Sequence, residues 1–128
     1  MPYTIIELGG EGVLDELIQS LIIELRRGTL TLAVLSQLQK PEYGYSLVQS
    51  LEEKNVTIDP STLYPLLRRL EKQGLLVSDW KLNGNRQRKY YQLSQNGKQI
   101  YEKLKEAWSE TSNQMVQLLR EDECDEFN

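Results

Sequence analysis

The 128-residue sequence contains no histidine and a single cysteine, Cys124. Each absence removes a class of chemistry. With no histidine and one thiol, a zinc site built from Cys and His ligands cannot form within one chain. Ser-His-Asp and Cys-His nucleophilic arrangements are excluded on the same ground. One cysteine cannot close an intrachain disulfide, so the chain reads as intracellular, with a cytoplasmic location expected. No run approaches the roughly 18 apolar residues of a membrane span. No basic segment followed by an apolar block opens the chain, so neither a membrane span nor a secretory signal is expected. Paired carboxylates occur, as at Glu52-Glu53. Adjacent residues on a helix diverge, however, and no glycine-rich phosphate loop is present. The sequence therefore predicts a binding protein and not an enzyme, with no metal and no cofactor. Internal repeats and low-complexity linkers are also missing, and the length suits one domain or one domain with an appendage.

What is present is a segregated charge. The net charge of −4 argues on its face against a nucleic-acid partner. Residues 1–25, however, carry five acids (Glu7, Glu11, Asp15, Glu16, Glu24) and no base, and residues 106–128 carry Arg120 alone against seven acids. Between them, residues 26–105 hold 14 bases and seven acids, a net +7. A basic middle bracketed by acidic ends suggests a segment that faces nucleic acid.

The hydropathy pattern divides the chain into elements. The opening PYTIIELGGEG alternates briefly and then breaks at its glycines, as an edge strand or a disordered arm would. Leu14, Leu17, Ile18, Leu21, Ile22 and Leu25 line one face of a helix over 13–25. Gly28-Thr29 is expected to interrupt it. A second, almost wholly apolar helix over 29–39 ends before Pro41. A third runs over 43–54, opened by Tyr43-Gly44-Tyr45. Asp59-Pro60 is an N-cap and first-turn pair for a helix over 60–73. That helix buries Leu63, Leu66, Leu67 and Leu70; Pro65 deletes one of its hydrogen bonds, and Gly74 suits the position after its end. Two β-patterned runs, 75–82 and 86–93, flank Asn83-Gly84-Asn85, a hairpin signal. Ser94 caps a last helix over 95–120. In it Leu104, Trp108, Thr111, Met115 and Leu118 follow heptad spacing, suited to packing along another helix. Residues 121–128 read as a disordered acidic tail. Cys124 has no basic neighbour to activate it, so no redox role is expected.

Three helices followed by a hairpin are the order of a winged helix-turn-helix, whose third helix enters the DNA major groove while the hairpin wing reaches the backbone or minor groove. Ser61, Thr62 and Tyr64 stand at the N-terminal end of the candidate recognition helix, where hydroxyls reach base edges or phosphates. Arg68 and Arg69, one to two turns later, can pair with phosphate or guanine. Arg86, Arg88 and Lys89 make a cationic wing. Each has a plainer reading: Tyr64 covers the helix surface, the arginines pair with acids, and Tyr90 and Tyr91 pack on the sheet. A rival from another class is a winged-helix protein-interaction adaptor without DNA binding, working through its acidic ends.

The run Arg27-Gly28-Thr29-Leu30, Tyr43-Gly44-Tyr45-Ser46-Leu47, STLYPLLRRLEKQGLL (61–76) and RKYYQLSQNG (88–97) resembles the PadR family of bacterial transcriptional regulators, in its short, LmrR-like branch. The resemblance implies a mainly α fold with a small β-hairpin. Its parts are a winged helix-turn-helix DNA-binding domain (26–93) and a C-terminal dimerisation helix (94–120), to which this chain adds an arm and an extra amphipathic helix (1–25) before them and an acidic tail (121–128) after them. It further implies a homodimer held by Leu104, Trp108, Thr111, Met115 and Leu118. The dimer would bind a palindromic operator in double-stranded DNA, usually as a repressor, and be released by a small aromatic or lipophilic effector. Phosphate contacts would come from Arg27, Thr29, Tyr45 and the wing, and base readout from Ser61, Thr62, Tyr64 and Arg68. In that branch a tryptophan on the dimerisation helix stacks on planar ligands. Trp108 matches it, with Leu32, Ser36 and Leu104 as corresponding lining residues. Trp108 also reads simply as a large apolar anchor of the interface. Helix 13–25 has no counterpart in that branch.

Overall fold

The structure, a computed structural model, describes residues 11–125, and side chains over 12–121. The glycine-interrupted opening run and Cys124 fall outside what is described. The elements are α1 (Glu11–Ser36), β1 (Glu42–Tyr43), α2 (Gly44–Glu53), α3 (Pro60–Lys72), β2 (Leu76–Asn83), β3 (Arg86–Leu93) and α4 (Gln95–Asp125). Two compact units meet in sequence between Thr31 and Leu32.

The first departure from expectation is α1. Gly28-Thr29 does not interrupt it; one helix of 26 residues runs through both positions. A helical glycine costs only about 1 kcal/mol against alanine, which is too little to end a helix whose neighbours favour it. Thr29 turns its hydroxyl back onto the helix, donating to the Arg26 carbonyl at 3.0 Å, so its polar group is satisfied without leaving the helical path. In the first unit, Leu14, Ile18, Leu21 and Leu25 are exposed.

The second unit holds the core. Its buried hydrophobic residues are Val34, Leu35 and Leu38, then Leu47 and Leu51 of α2, Ile58, the α3 leucines 63, 66, 67 and 70, and Leu75, Leu76, Tyr91 and Leu93. All four α3 leucines named from periodicity are inside. Each helix stop has a local cause. After α3, Gly74 adopts φ +87°. The Leu75 N–H then reaches the Leu70 carbonyl at 2.9 Å and the Gly74 N–H the Glu71 carbonyl at 3.0 Å, a Schellman closure that needs a left-handed residue. Asn55, at φ 65°, closes α2 in the same way through Val56 N–H to Leu51 O at 2.8 Å. Asn tolerates that conformation better than other non-glycine residues.

The sheet is three-stranded and antiparallel in the order β1-β3-β2. Asn83 pairs with Arg86, so the hairpin loop is the two residues Gly84-Asn85, one step later than an Asn-Gly turn would place it. Positive φ at Gly84 alone, 66°, matches a type II′ turn, which needs glycine at its first central position. The two-residue β1 replaces the helical start expected at Tyr43. Glu42 pairs with Tyr91 and Tyr43 with Tyr90, a non-local pairing too short to leave a periodic signal. Ser94 caps α4, accepting from the Gly97 N–H at 2.9 Å and donating to the Gly74 carbonyl at 2.6 Å. A side chain at Gly97 would run into the Leu75 carbonyl. The last helix continues to Asp125, so residues 121–125 of the expected disordered tail are helical.

Candidate nucleic-acid interface

Asp59 starts α3: its carboxylate accepts from the Ser61 backbone N–H at 2.9 Å and from the Ser61 hydroxyl at 2.8 Å. These two bonds hold the Asp59 carboxyl below its ordinary value. Pro60 occupies the first turn, where its missing N–H costs nothing. With the leucines buried, the opposite side of α3 presents Ser61, Thr62, Tyr64, Arg68 and Arg69 to solvent. The Ser61 hydroxyl is committed to the cap. The Tyr64 ring, 40% exposed, lies against Gly44 so closely that a Cβ there would collide with it. It therefore both covers the start of α2 and shows an edge to solvent. Among the described residues, Arg68 and Arg69 enter no ion pair.

At the N-terminus of α2, the Ser46 hydroxyl accepts from the Tyr43 N–H at 3.1 Å and bonds the Glu42 carboxylate. This capping leaves Tyr45 exposed beside it. Arg27 and Thr29 belong to the first compact unit; Arg27 is exposed, and the Thr29 hydroxyl is used within its helix.

The three wing cations have three different fates. Arg86, next to the turn, is exposed. Arg88 lies with its guanidinium carbon 4.5 Å from the centre of the Tyr43 ring, and its Nε is buried without a hydrogen-bond partner. The Tyr43 ring in turn meets Tyr90 edge to face at 5.3 Å. Lys81 lies over Tyr90 at 5.8 Å. Lys89 pairs with Glu71 of α3 at 3.2 Å and sits 5.2 Å from the centre of the Tyr91 ring. Glu71 also accepts from the Ser78 hydroxyl on β2. The Ser78 bond first, and Lys89 less strongly, hold the Glu71 carboxyl below the usual range, while Glu71 raises the Lys89 ammonium. Tyr91 is buried and Tyr90 stacks within the sheet, so the two tyrosines pack.

The sequence alone assigned no functional role to Glu71, Ser78, Tyr43 or Lys81. Glu71 had one visible signal: it is the sole acid of a helix carrying Arg68, Arg69 and Lys72. The proposed ligand and interface residues lie in the second unit. Leu32, Ser36 and Leu104 are half-buried, and the Ser36 hydroxyl donates to the Ala33 carbonyl at 2.6 Å. Trp108 is 47% exposed, and Thr111, Met115 and Leu118 are also exposed. Among the described residues there is no cluster of three or more metal-ligating side chains, and no helix is long and apolar enough to cross a membrane.

Residues 31–103 match the transcriptional regulator PadR-like family. The match spans α2, α3 and the whole hairpin; it omits Arg27, Thr29 and the α4 residues from Leu104 onward. The transcriptional regulator Rv3488 of Mycobacterium tuberculosis is 31% identical over 94 residues, covering 73% of this chain and 88% of that protein. Among solved structures, a PadR family transcriptional regulator from Eggerthella lenta superposes with a TM-score of 0.76 at 44% identity, over 83% of this chain and 95% of that one. Bacillus subtilis PadR in complex with operator DNA gives a TM-score of 0.55 at 26% identity, over 59% of this chain and 47% of that chain. A winged hairpin beside a helix with exposed arginines, the family match and these relatives agree, and the chain belongs to the PadR-like family of transcriptional regulators, which are not enzymes.

Proposed function

We propose that the protein is a cytoplasmic, homodimeric repressor that binds a palindromic operator in double-stranded DNA and is released by a small aromatic or lipophilic effector. The observation that carries the DNA reading is the outer face of α3. Its buried leucines fix which side is presented, and that side shows Thr62, Arg68 and Arg69 with no ion pair on either arginine among the described residues. Unpaired guanidiniums next to a hydroxyl suit base edges and phosphates. Arg86, exposed at the wing turn, and Tyr45, exposed at the start of α2, serve as phosphate contacts of the second unit, and Arg27, by itself, as one of the first. Support also comes from the relative that was crystallised with its operator. The dimer reading rests on the stripe Leu104, Trp108, Thr111, Met115 and Leu118 on α4, half-buried at Leu104 and exposed at the other four. The effector reading places a planar ligand against Trp108, with Leu32, Ser36 and Leu104 around it.

A two-fold dimer predicts half-sites about 10–10.5 bp apart, or a multiple of that. Affinity for a duplex from upstream of its own gene should fall steeply between low and moderate salt, because each phosphate contact releases counterions. Reversing charge at both Arg68 and Arg86 should abolish that binding in a mobility-shift assay while leaving thermal unfolding intact. Salt-independent binding, or full binding by the double variant, rejects the reading and favours an adaptor.

A further inference from the structure

We propose that Glu71 is a positioning residue for operator recognition. It locks the wing to the recognition helix, and it holds Lys89 as part of that lock instead of as a phosphate contact. The inference rests on the DNA-binding reading and goes beyond it.

Glu71 stands in the last turn of α3, on a helix with three basic residues and no other acid. On a surface that meets phosphates, a lone carboxylate is repulsive unless it is engaged elsewhere. Here it turns to the hairpin and binds both strands at once, accepting from Ser78 on β2 and from Lys89 on β3 at 3.2 Å. Ser78 lies opposite Tyr91 and Trp80 opposite Lys89 in the ladder, so Ser78, Lys89 and Tyr91 occupy one face of the hairpin. The Tyr91 ring holds the Lys89 ammonium from a second direction. The hairpin is also held by backbone and apolar contacts through Leu75, Leu76 and Leu93, and on the β1 side by Tyr43 against Arg88 and Tyr90. Beyond Ser78 the strand carries Trp80, Lys81, Leu82 and Asn83, all exposed. Among the described residues, the side-chain hydrogen bonds between α3 and the hairpin are those of Glu71.

Both charged partners are about one third exposed, at 31% and 32%. A pair so open to solvent adds little to folding stability. Its three-point geometry instead fixes the angle between the helix that reads bases and the hairpin that carries Arg86. Phosphate contacts set register and base contacts set sequence, so the position of Arg86 relative to α3 bears on both. Releasing Glu71 should loosen the wing and lower operator affinity without weakening general attraction to DNA.

The test compares the full-length protein with Glu71→Gln, Lys89→Met and Lys89→Arg on two duplexes, one from upstream of its own gene and one of random sequence. Glu71→Gln should lower affinity for the first about tenfold and should not lower affinity for the second. Lys89→Met should do the same and leave the salt slope on random DNA unchanged, whereas loss of a direct phosphate contact would reduce that slope by about one. Lys89→Arg should restore operator affinity. Without DNA, amide exchange over residues 76–83 should quicken in Glu71→Gln and Lys89→Met. Unchanged operator affinity in Glu71→Gln, or a reduced salt slope in Lys89→Met, overturns the proposal. If the unaltered protein binds neither duplex, the DNA reading and its positioning role fall together; quickened exchange would then still support the lock as a feature of the fold, and unchanged exchange would reject it.

Discussion

Helices α3 and α4 carry nearly the same apolar code and treat it in opposite ways. In α3, Leu63, Leu66, Leu67 and Leu70 recur at helical spacing and are all inside, Leu67 at 0% exposure. In α4, Trp108, Met115 and Leu118 also recur on one face, yet Trp108 keeps 47% and Leu118 58% of its surface open. The difference is one of neighbours: α3 lies against α2 and β2, whereas α4 leaves the fold after its first turns, where Ser94 and Gly97 anchor it to Gly74 and Leu75. The same periodicity thus stabilises the chain in one place and leaves an apolar stripe for another surface in the other. On the proposed dimer, a second copy covers that stripe.

This contrast can be broken from either side. Leu67→Ala should cost about 2–5 kcal/mol, because it leaves a cavity in a closed core, and chemical denaturation would show it as a lower midpoint with similar slope. Met115→Glu with Leu118→Glu should leave the winged domain folded by circular dichroism and shift sedimentation from dimer to monomer. A folded dimer with both charges in place would remove the basis for calling α4 an interface. Trp108→Ala should abolish quenching of tryptophan fluorescence by planar cations while the dimer persists, with Trp80 on the wing as the internal control. The smallest effect belongs to the start of α3. Asp59→Ala should lower the melting temperature slightly near neutral pH by removing the cap. Because the folded Asp59 carboxyl titrates below its ordinary value, its stabilisation is present above that value and fades as pH falls through the lowered one. The two proteins should therefore converge in strong acid.

Much of the winged fold was legible from local rules, since its main elements begin and end at residues with strong intrinsic preferences. Asp59-Pro60 opens α3, Gly74 closes it, Ser94 opens α4, and Gly84 makes the hairpin possible. Tests of local preference fail where two weak signals compete. Gly28-Thr29 resembles a break, but one glycine cannot outweigh the helical residues on both sides, and α1 continues. The acidic end of the chain resembles a tail, but the helix carries on to Asp125. Asn55 and β1 went unread because one left-handed asparagine and one two-residue pairing leave no pattern along the chain. For the candidate interface, sequence named the cationic residues but not their availability. Arg68, Arg86, Arg88 and Lys89 look alike as letters. In the fold, Arg88 stacks on Tyr43 and Lys89 meets Glu71, partners separated from them by long stretches of chain.

By itself, then, the sequence determined chemistry and local geometry: no histidine-based catalysis, a basic middle between acidic ends, which faces of α3 and α4 are apolar, and where the turns fall. These follow from side-chain type and from spacing within a few residues. The tertiary structure alone decided which apolar face is closed, which cations are engaged and how Glu71 joins helix to wing. Those outcomes depend on contacts between residues far apart in the chain, such as Lys89 with Glu71 and Tyr43 with Tyr90. Only packing brings such partners within reach of one another.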